Sequence, residues 1–245
     1  MLIAVDAAAI TFDELTWPET WASGGVDRTP VIPSHEFSGS WSRSATVSPG
    51  CRLVTRCSGW SRSTGTAPRR SPSSCRYPGQ RVLVHGGAGG VGSFVTQTGD
   101  RAGASVTWTV HGRDVGYVLA LGAERVINTD QESLDAEPGV FDVVIDVVGQ
   151  DTPEGLFAAL RRGGRLVTLQ QPPSQETADK HGVTALFFIV TAERDRLARL
   201  ADMIDIGKLE VSVAATFPLA ECRAAYESGA VRRPRPGKTV LVVYY

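Results

Sequence analysis

The chain has 245 residues, with 25 lysines and arginines against 26 acids and an apolar fraction of 42%. Such a balanced charge argues against wholesale nucleic-acid binding, and no apolar run approaches the ~20 residues that a membrane-spanning helix needs. The length admits one large domain or two modest ones, with enough apolar content for a real core.

Leu2–Ile10 reads as a strand running into an Ala-rich turn, with no basic segment before Asp6. No secretory leader is therefore expected, and the cytoplasm is the expected compartment. Thr11–Thr20 reads as a loop or short helix, and Pro30–Gly39 as a proline-bounded extended segment. From Ser40 to Tyr77 the composition changes: seven arginines, ten serines, three of the four cysteines and no acid. Neither a 3.6 nor a 2.0 period runs through it, so no regular structure is expected from Ser40 to Pro78. The cysteines, Cys51, Cys57, Cys75 and Cys222, form no C-x-x-C pair, which points to free thiols rather than a disulfide framework or zinc knuckle.

From Gly79 onward the pattern is regular. Arg81–His85 is a short apolar strand, followed by glycines and an amphipathic segment, Val91–Ala102. Ser105–Val110 is a second strand, Val115–Leu121 a helix, Arg125–Ile127 a third strand and Asp142–Val148 a fourth. Thr152–Leu160 is helical, Arg162–Gly164 a turn, Arg165–Leu169 a fifth strand and Leu186–Val190 a sixth. Strands this apolar, alternating with helices, need both faces covered, which implies a parallel α/β sheet of the doubly wound type. Ala192–Ile206 then reads as a charged helix. Val211–Phe217 and Thr239–Tyr244 read as strands flanking a helix near Ala220–Ser228, more than a six-stranded sheet requires.

The first strand runs into Gly87-Ala88-Gly89-Gly90-Val91-Gly92, a G-x-G-x-x-G that opens a predicted helix. Glycine in these places gives the tight turn, the close backbone approach to a pyrophosphate and close helix–strand packing that a dinucleotide site needs. The helix N-terminus adds free N–H groups and partial positive charge. An NAD-binding chain normally ends its second strand with an acid for the ribose hydroxyls. Here His111 or Gly112 takes that position and Arg113 follows. An arginine suits a 2′-phosphate through paired hydrogen bonds, so NADPH is the expected nucleotide. The alternative, Arg113 as a solvated surface charge beside Asp114, stays open.

With these residues in place, the chain resembles the medium-chain dehydrogenase/reductase superfamily. Within it the zinc-free, NADP-dependent quinone oxidoreductases, the zeta-crystallin-like branch, are most similar. The resemblance rests on Arg81–Gly92, Leu121-Gly122-Ala123, Phe141–Asp146, Leu160–Leu166 and Gly237–Leu241. It implies an α/β fold: a doubly wound Rossmann sheet with an incomplete GroES-like β-barrel substrate domain. Residues 1–78 would be the remnant of that barrel, 79–204 the dinucleotide-binding domain and 205–245 a segment returning to the substrate domain. It implies hydride transfer from NADPH to a quinone or activated double bond, and a homodimer. By resemblance, Gly87, Gly89, Gly90, Val91 and Gly92 cradle the pyrophosphate, and His111 with Arg113 reads the 2′-phosphate. Val148, Gly149, Leu169, Phe188 and Ile189 would line the ribose and nicotinamide side, with plain core packing the alternative for Phe188 and Ile189.

No catalytic acid or base is assigned. Thr11 and Asp13 fall where the family lines its cleft, but Asp13 reads equally as a cap or surface charge. Pro33-Ser34-His35-Glu36 takes the place of the family's G-H-E element, where zinc alcohol dehydrogenases keep a ligand. Thr11-Phe12-Asp13 occupies the loop of the cysteine ligand, and a catalytic zinc needs three protein ligands. No metal is expected.

Ser40–Tyr77 matches nothing in the family, and its composition is that of a GC-rich gene read in a neighbouring frame. Resequencing the coding DNA is expected to find a family-like barrel in an adjacent frame; finding none there would overturn this origin. A basic nucleic-acid arm and a disordered insert are the rival readings of the stretch. For the whole chain the rivals are a catalytically inactive nucleotide-binding remnant and, more distantly, a zinc alcohol dehydrogenase relative.

Overall fold

The computed structural model describes residues 2–10, 22–23, 25–27, 36–43, 57–60, 79–134, 138–149, 153–187, 189, 193–229 and 236–243. These fall into two compact units: residues 1–64, 192–202 and 211–245 in one, and 65–191 with 203–210 in the other.

The second unit is built on six strands: β6 (Arg81–His85), β7 (Ser105–Val110), β8 (Arg125–Asn128), β9 (Phe141–Asp146), β10 (Leu160–Thr168) and β11 (Thr184–Phe187). They lie in the order β11-β10-β9-β6-β7-β8, all pairs parallel. The strand order reverses between β6 and β9, the switch point at which open α/β sheets bind ligands. Side chains alternate across each strand, so β6 feeds two cores. Val82 and Val84 join Val106, Trp108, Val110 and Val118 on one side, while Leu83 joins Phe141, Val144, Leu156, Phe157 and Leu166 on the other. That double burial is why three consecutive apolar residues read as strand.

The helices are α1 (Gly90–Arg101), α2 (Val115–Ala120), α3 (Glu154–Ala158) and α4 (Gln175–His181), followed by α5 (Arg194–Asp205). Helix α4 is absent from the sequence-based reading. It is polar, with Ala178 its only buried residue, so it has almost no apolar period to detect. Its ends are nonetheless marked: Ser174 Oγ accepts the Thr177 N–H, and Gly182 closes it in the left-handed region at φ 64°. Gln97 on α1 staples the segment after α5, donating to Glu210 O at 3.1 Å and accepting from Glu210 N at 2.7 Å.

Other boundaries differ from expectation, the fourth strand among them, which is Phe141–Asp146 rather than Asp142–Val148. Leu160 belongs to β10 rather than to a helix, and Arg162–Gly164 is not a free turn. It forms a bulge inside β10, between Leu160 opposite Phe141 and Arg165 opposite Val143. The sixth strand begins earlier than expected, at Thr184, and is described as far as Phe187.

At the start of β6, Asp142 Oδ2 accepts the Arg81 N–H at 2.8 Å, and its other oxygen accepts from Arg161 Nε. The Arg81 backbone bond, with help from Arg161, holds the Asp142 carboxyl below its ordinary value. A depressed native pKa stabilises above the unfolded value and stops doing so as the acid is protonated. Asp142→Asn is therefore expected to melt below wild type at neutral pH. The gap should close as pH falls below roughly 4, read from melting temperatures across pH 2.5–7. A gap that stayed constant would remove Asp142 from the acid limb.

The first unit carries the five-stranded sheet β12-β13-β1-β4-β5, made of β1 (Leu2–Ile10), β4 (Glu36–Arg43), β5 (Cys57–Trp60), β12 (Val213–Pro218) and β13 (Lys238–Val242). A separate short pair, β2 (Ala22–Ser23) with β3 (Val26–Asp27), runs antiparallel. Helix α6 (Cys222–Glu227) puts Ala225 into a small core with Ile10 and Leu241. The Ala-rich turn expected at Ala7–Ala9 is strand: these residues pair with Val242, Leu241 and Val240 on one side and with Ser38, Phe37 and Glu36 on the other. Pairing on both edges overrides alanine's weak strand preference. Nor is Ser40–Pro78 wholly irregular, since β4 extends to Arg43 and β5 pairs with it. Thr11–Thr20, His35 and residues 61–78 lie outside the described residues. No helix among the described residues is long and apolar enough to cross a membrane.

Candidate functional site

The site is assembled at the carboxyl ends of β6, β7, β9 and β10. Strand β6 delivers the chain into Gly86, at φ 79°, and the glycine loop then turns into α1. A β-carbon on Gly87 would collide with the Trp108 ring, and one on Gly92 with the backbone of Gly87. Loop, β7 and α1 therefore pack with no room for side chains. Gly89, by contrast, would meet nothing nearer than Gly86 O at 3.7 Å, so the loop has one open side. No side chain caps α1, and its first turn holds no acid. Its leading N–H groups and partial positive charge thus face outward unneutralised. A pyrophosphate fits this cradle.

Beneath the loop lies a polar group that the sequence pattern did not signal. Thr109 Oγ1, at the end of β7, accepts the Gly86 N–H at 3.3 Å and lies 2.7 Å from His85 Nδ1. Burial pushes the His85 imidazole below its ordinary value, with the charge of Asp146 pulling the other way. Fully buried Asp146 shapes the next turn, its Oδ1 accepting from Val148 N at 3.0 Å and Gly149 N at 3.4 Å. That turn abuts the loop, because a β-carbon on Gly86 would strike Val148. Gly149, at φ 74°, packs against Gln170 after β10. Leu169 donates its N–H to Asp146 O at 3.3 Å. Gly87–Gly92, Val148, Gly149 and Leu169 thus form one continuous rim.

Ile189 is 76% exposed, which excludes core packing for its side chain; Phe188 lies outside the described residues. His111 caps a 3-10 turn, Gly112–Asp114, directly after β7. Its Nδ1 lies 2.8 Å from Asp130 Oδ1, and Asp130 Oδ2 accepts the Gly112 N–H at 2.9 Å. Arg113 Nε reaches Asp114 Oδ2 at 3.4 Å. Asp130 escaped the sequence reading because nothing in Thr129-Asp130 reveals that the chain after β8 turns back toward β7. Among the described residues, no group of three His, Cys, Asp or Glu side chains could hold a metal. Thr11, Asp13 and His35 lie outside those residues.

A family model described as zinc-binding dehydrogenase matches residues 121–241. Over 152 residues the chain is 32% identical to an NADPH-dependent alkenal/one oxidoreductase of Arabidopsis thaliana, covering 60% of this chain and 36% of that one. Over 204 residues it is 30% identical to a mitochondrial NAD(P)H oxidoreductase of Mus musculus, covering 71% and 50%. The fold matches that of the quinone oxidoreductase from Coxiella burnetii with a TM-score of 0.72 at 23% identity, across 100% of this chain and 90% of that one. The family model and these relatives support placing the chain in the medium-chain dehydrogenase/reductase superfamily. Both of these curated relatives are named as oxidoreductases. The chain spans about a third to a half of the length of most of the curated relatives it matches.

Proposed function

We propose that this chain is an NADPH-dependent oxidoreductase of the quinone-reductase branch, delivering hydride to a quinone or an activated double bond. The observation that carries the reading is the cradle: a glycine loop packed without side-chain room on Trp108 and on itself, open at Gly89 and leading into an uncapped helix. The relatives named as NADPH-dependent or NAD(P)H oxidoreductases support the nucleotide.

When bound, the reduced nicotinamide supplies the hydride. The chain's part is to hold and orient. Gly87 and Gly89 shape the cradle and the N–H groups of Gly90, Val91 and Gly92 hold the pyrophosphate, while His111 and Arg113 take the 2′-phosphate. Val148, Gly149, Leu169, Phe188 and Ile189 form the wall along the ribose and nicotinamide. Residues 1–78 and 205–245 supply the GroES-like substrate side, and residues 79–204 the nucleotide side. The edge strand β11, with Leu186 exposed, is the surface on which a second copy would extend the sheet into a homodimer. With no cysteine in Thr11-Phe12-Asp13, the reaction is assigned without zinc.

Fluorescence titration with NADPH and NADH in parallel tests the nucleotide, with NADPH expected to bind at least about tenfold more tightly, roughly 1.4 kcal/mol. Turnover with a quinone and with an enone then separates an active reductase from a nucleotide-binding remnant, and stoichiometric zinc in the purified protein would favour an alcohol dehydrogenase instead. Binding of neither nucleotide would overturn the reading.

A further inference from the structure

We infer that Gln97 is a positioning residue that couples occupation of the glycine loop to the segment Met203–Glu210, from which the chain returns to the first unit. The inference rests on the nucleotide reading above, but Gln97 itself lies outside the subsites assigned to the nucleotide.

The buried residues of α1 are Gly92, Ser93, Thr96 and Gln97, where an amphipathic helix ordinarily turns an apolar stripe inward. Each polar one is satisfied from the helix's own backbone. Ser93 Oγ donates to Gly90 O at 3.1 Å, and Thr96 Oγ1 donates to Gly92 O at 3.1 Å. Gln97 Nε2 donates to Ser93 O at 3.2 Å, and the Ser93 N–H returns to Gly89 O at 3.1 Å. The buried side of α1 is thus a run of hydrogen bonds leading back to the glycine loop.

At Gln97 that run leaves the helix. The second hydrogen of Nε2 goes to Glu210 O at 3.1 Å, while Oε1 accepts the Glu210 N–H at 2.7 Å. A primary carboxamide offers donor and acceptor side by side, so it pairs with both backbone groups of one residue as a strand partner would. Gln97 is only 7% exposed, so losing it would leave buried backbone groups unsatisfied. Glu210 is the last residue of the second unit, and the first unit resumes at Val211. Ser212 already accepts the Lys238 N–H at 2.9 Å, just ahead of β12 and β13. Upstream of Glu210 the segment is a closed turn. Lys208 and Leu209 both donate their N–H to Met203 O, at 2.7 and 3.1 Å, around Gly207 at φ 69°. A pyrophosphate gathered by the loop's N–H groups stiffens Gly89–Ser93, and Gln97 carries that stiffening to the turn.

Hydrogen exchange at the Lys208 and Leu209 amides tests this, because their acceptor is Met203 O and not Gln97. Saturating NADPH is expected to slow their exchange about fivefold in the wild type, the scale of one net hydrogen bond. Gln97→Met keeps a long unbranched side chain with good helix preference but has no amide. In it the slowing should fall below about twofold. Coupling between sites is reciprocal, so the same variant should bind NADPH about fivefold more weakly in a fluorescence titration. Gln97→Asn, one methylene shorter, draws the carboxamide back from Glu210 and should lose the slowing too. It serves where Gln97→Met does not melt cooperatively. Equal slowing in wild type and variant, or none in a wild type saturated with NADPH, would overturn the inference. A wild type that binds neither nucleotide in the titration would instead sink the underlying reading.

Discussion

Gly92→Ala is expected to raise the Kd for NADPH by about 5- to 150-fold while the second unit remains folded. A β-carbon at this position overlaps the α-carbon, carbonyl carbon and carbonyl oxygen of Gly87. These are backbone atoms of the loop itself, with no flexible side-chain end to swing aside. Helix α1 and the loop must separate, and overpacking of this kind costs about 1–3 kcal/mol, the origin of the range given. The comparison is Gly89→Ala, whose β-carbon meets only ordinary van der Waals contact. It should melt like the wild type and weaken binding only by filling the open side of the cradle. Titration of both variants, with melting temperatures alongside, separates a deformed loop from an obstructed one. If Gly92→Ala bound NADPH like the wild type, the cradle would not be the phosphate site.

Trp108→Ala carries the largest expected cost in stability. The side chain is fully buried at the centre of β7, in contact range of Gly87 above and within the cluster of Val82, Val84, Val106 and Val118. Removing so large a ring from a core costs about 3–5 kcal/mol, or a fall in melting temperature of roughly 6–20 °C for a chain of this size. The floor beneath Gly87 goes with it, so NADPH affinity should fall as well. Trp108→Phe behaves differently. The indole Nε1 is buried without a hydrogen-bond partner, a burden of about 1–3 kcal/mol that phenylalanine lacks. The phenylalanine variant should therefore retain most of the wild-type stability. Thermal melts settle the matter: an alanine variant within 2 °C of wild type would contradict the packing described, on the ~2–4 °C per kcal/mol expected here.

The parts of the fold legible from sequence are those where burial on both faces leaves an unbroken apolar signature. Arg81–His85 and Ser105–Val110 are readable to the residue for that reason. Local signals fail where distant pairing decides the structure. Ala7–Ala9 have little intrinsic strand preference and become strand only because β4 and β13 flank them. Ser40–Arg43 lacks any period and is drawn into β4 by Leu2, Ile3 and Ala4 across the ladder. Helix α4 was written only in its ends, Ser174 and Gly182, since one buried alanine makes no stripe. At the candidate site the glycines were legible because backbone geometry dictates them. Thr109 and Asp130 were not, because each acts on a loop that adjoins it only across the sheet, and Asp146 was not, because it turns the chain at Val148 and Gly149 within what reads as one unbroken apolar strand.

The pairing of β1 with β13 has a consequence for the order of events during synthesis. Strand β1 leaves the ribosome well before β13, its partner along one edge, which ends at Val242. The sheet of the first unit therefore cannot close until β13 has been made. All residues of the second unit have been made once Glu210 is added, some seconds earlier at ordinary elongation rates of ~5–20 residues per second. During that interval β1 presents an unpaired edge to its surroundings, the kind of surface on which strands from other chains add. The nascent protein thus carries an open strand edge at β1 after every residue of the second unit has been made.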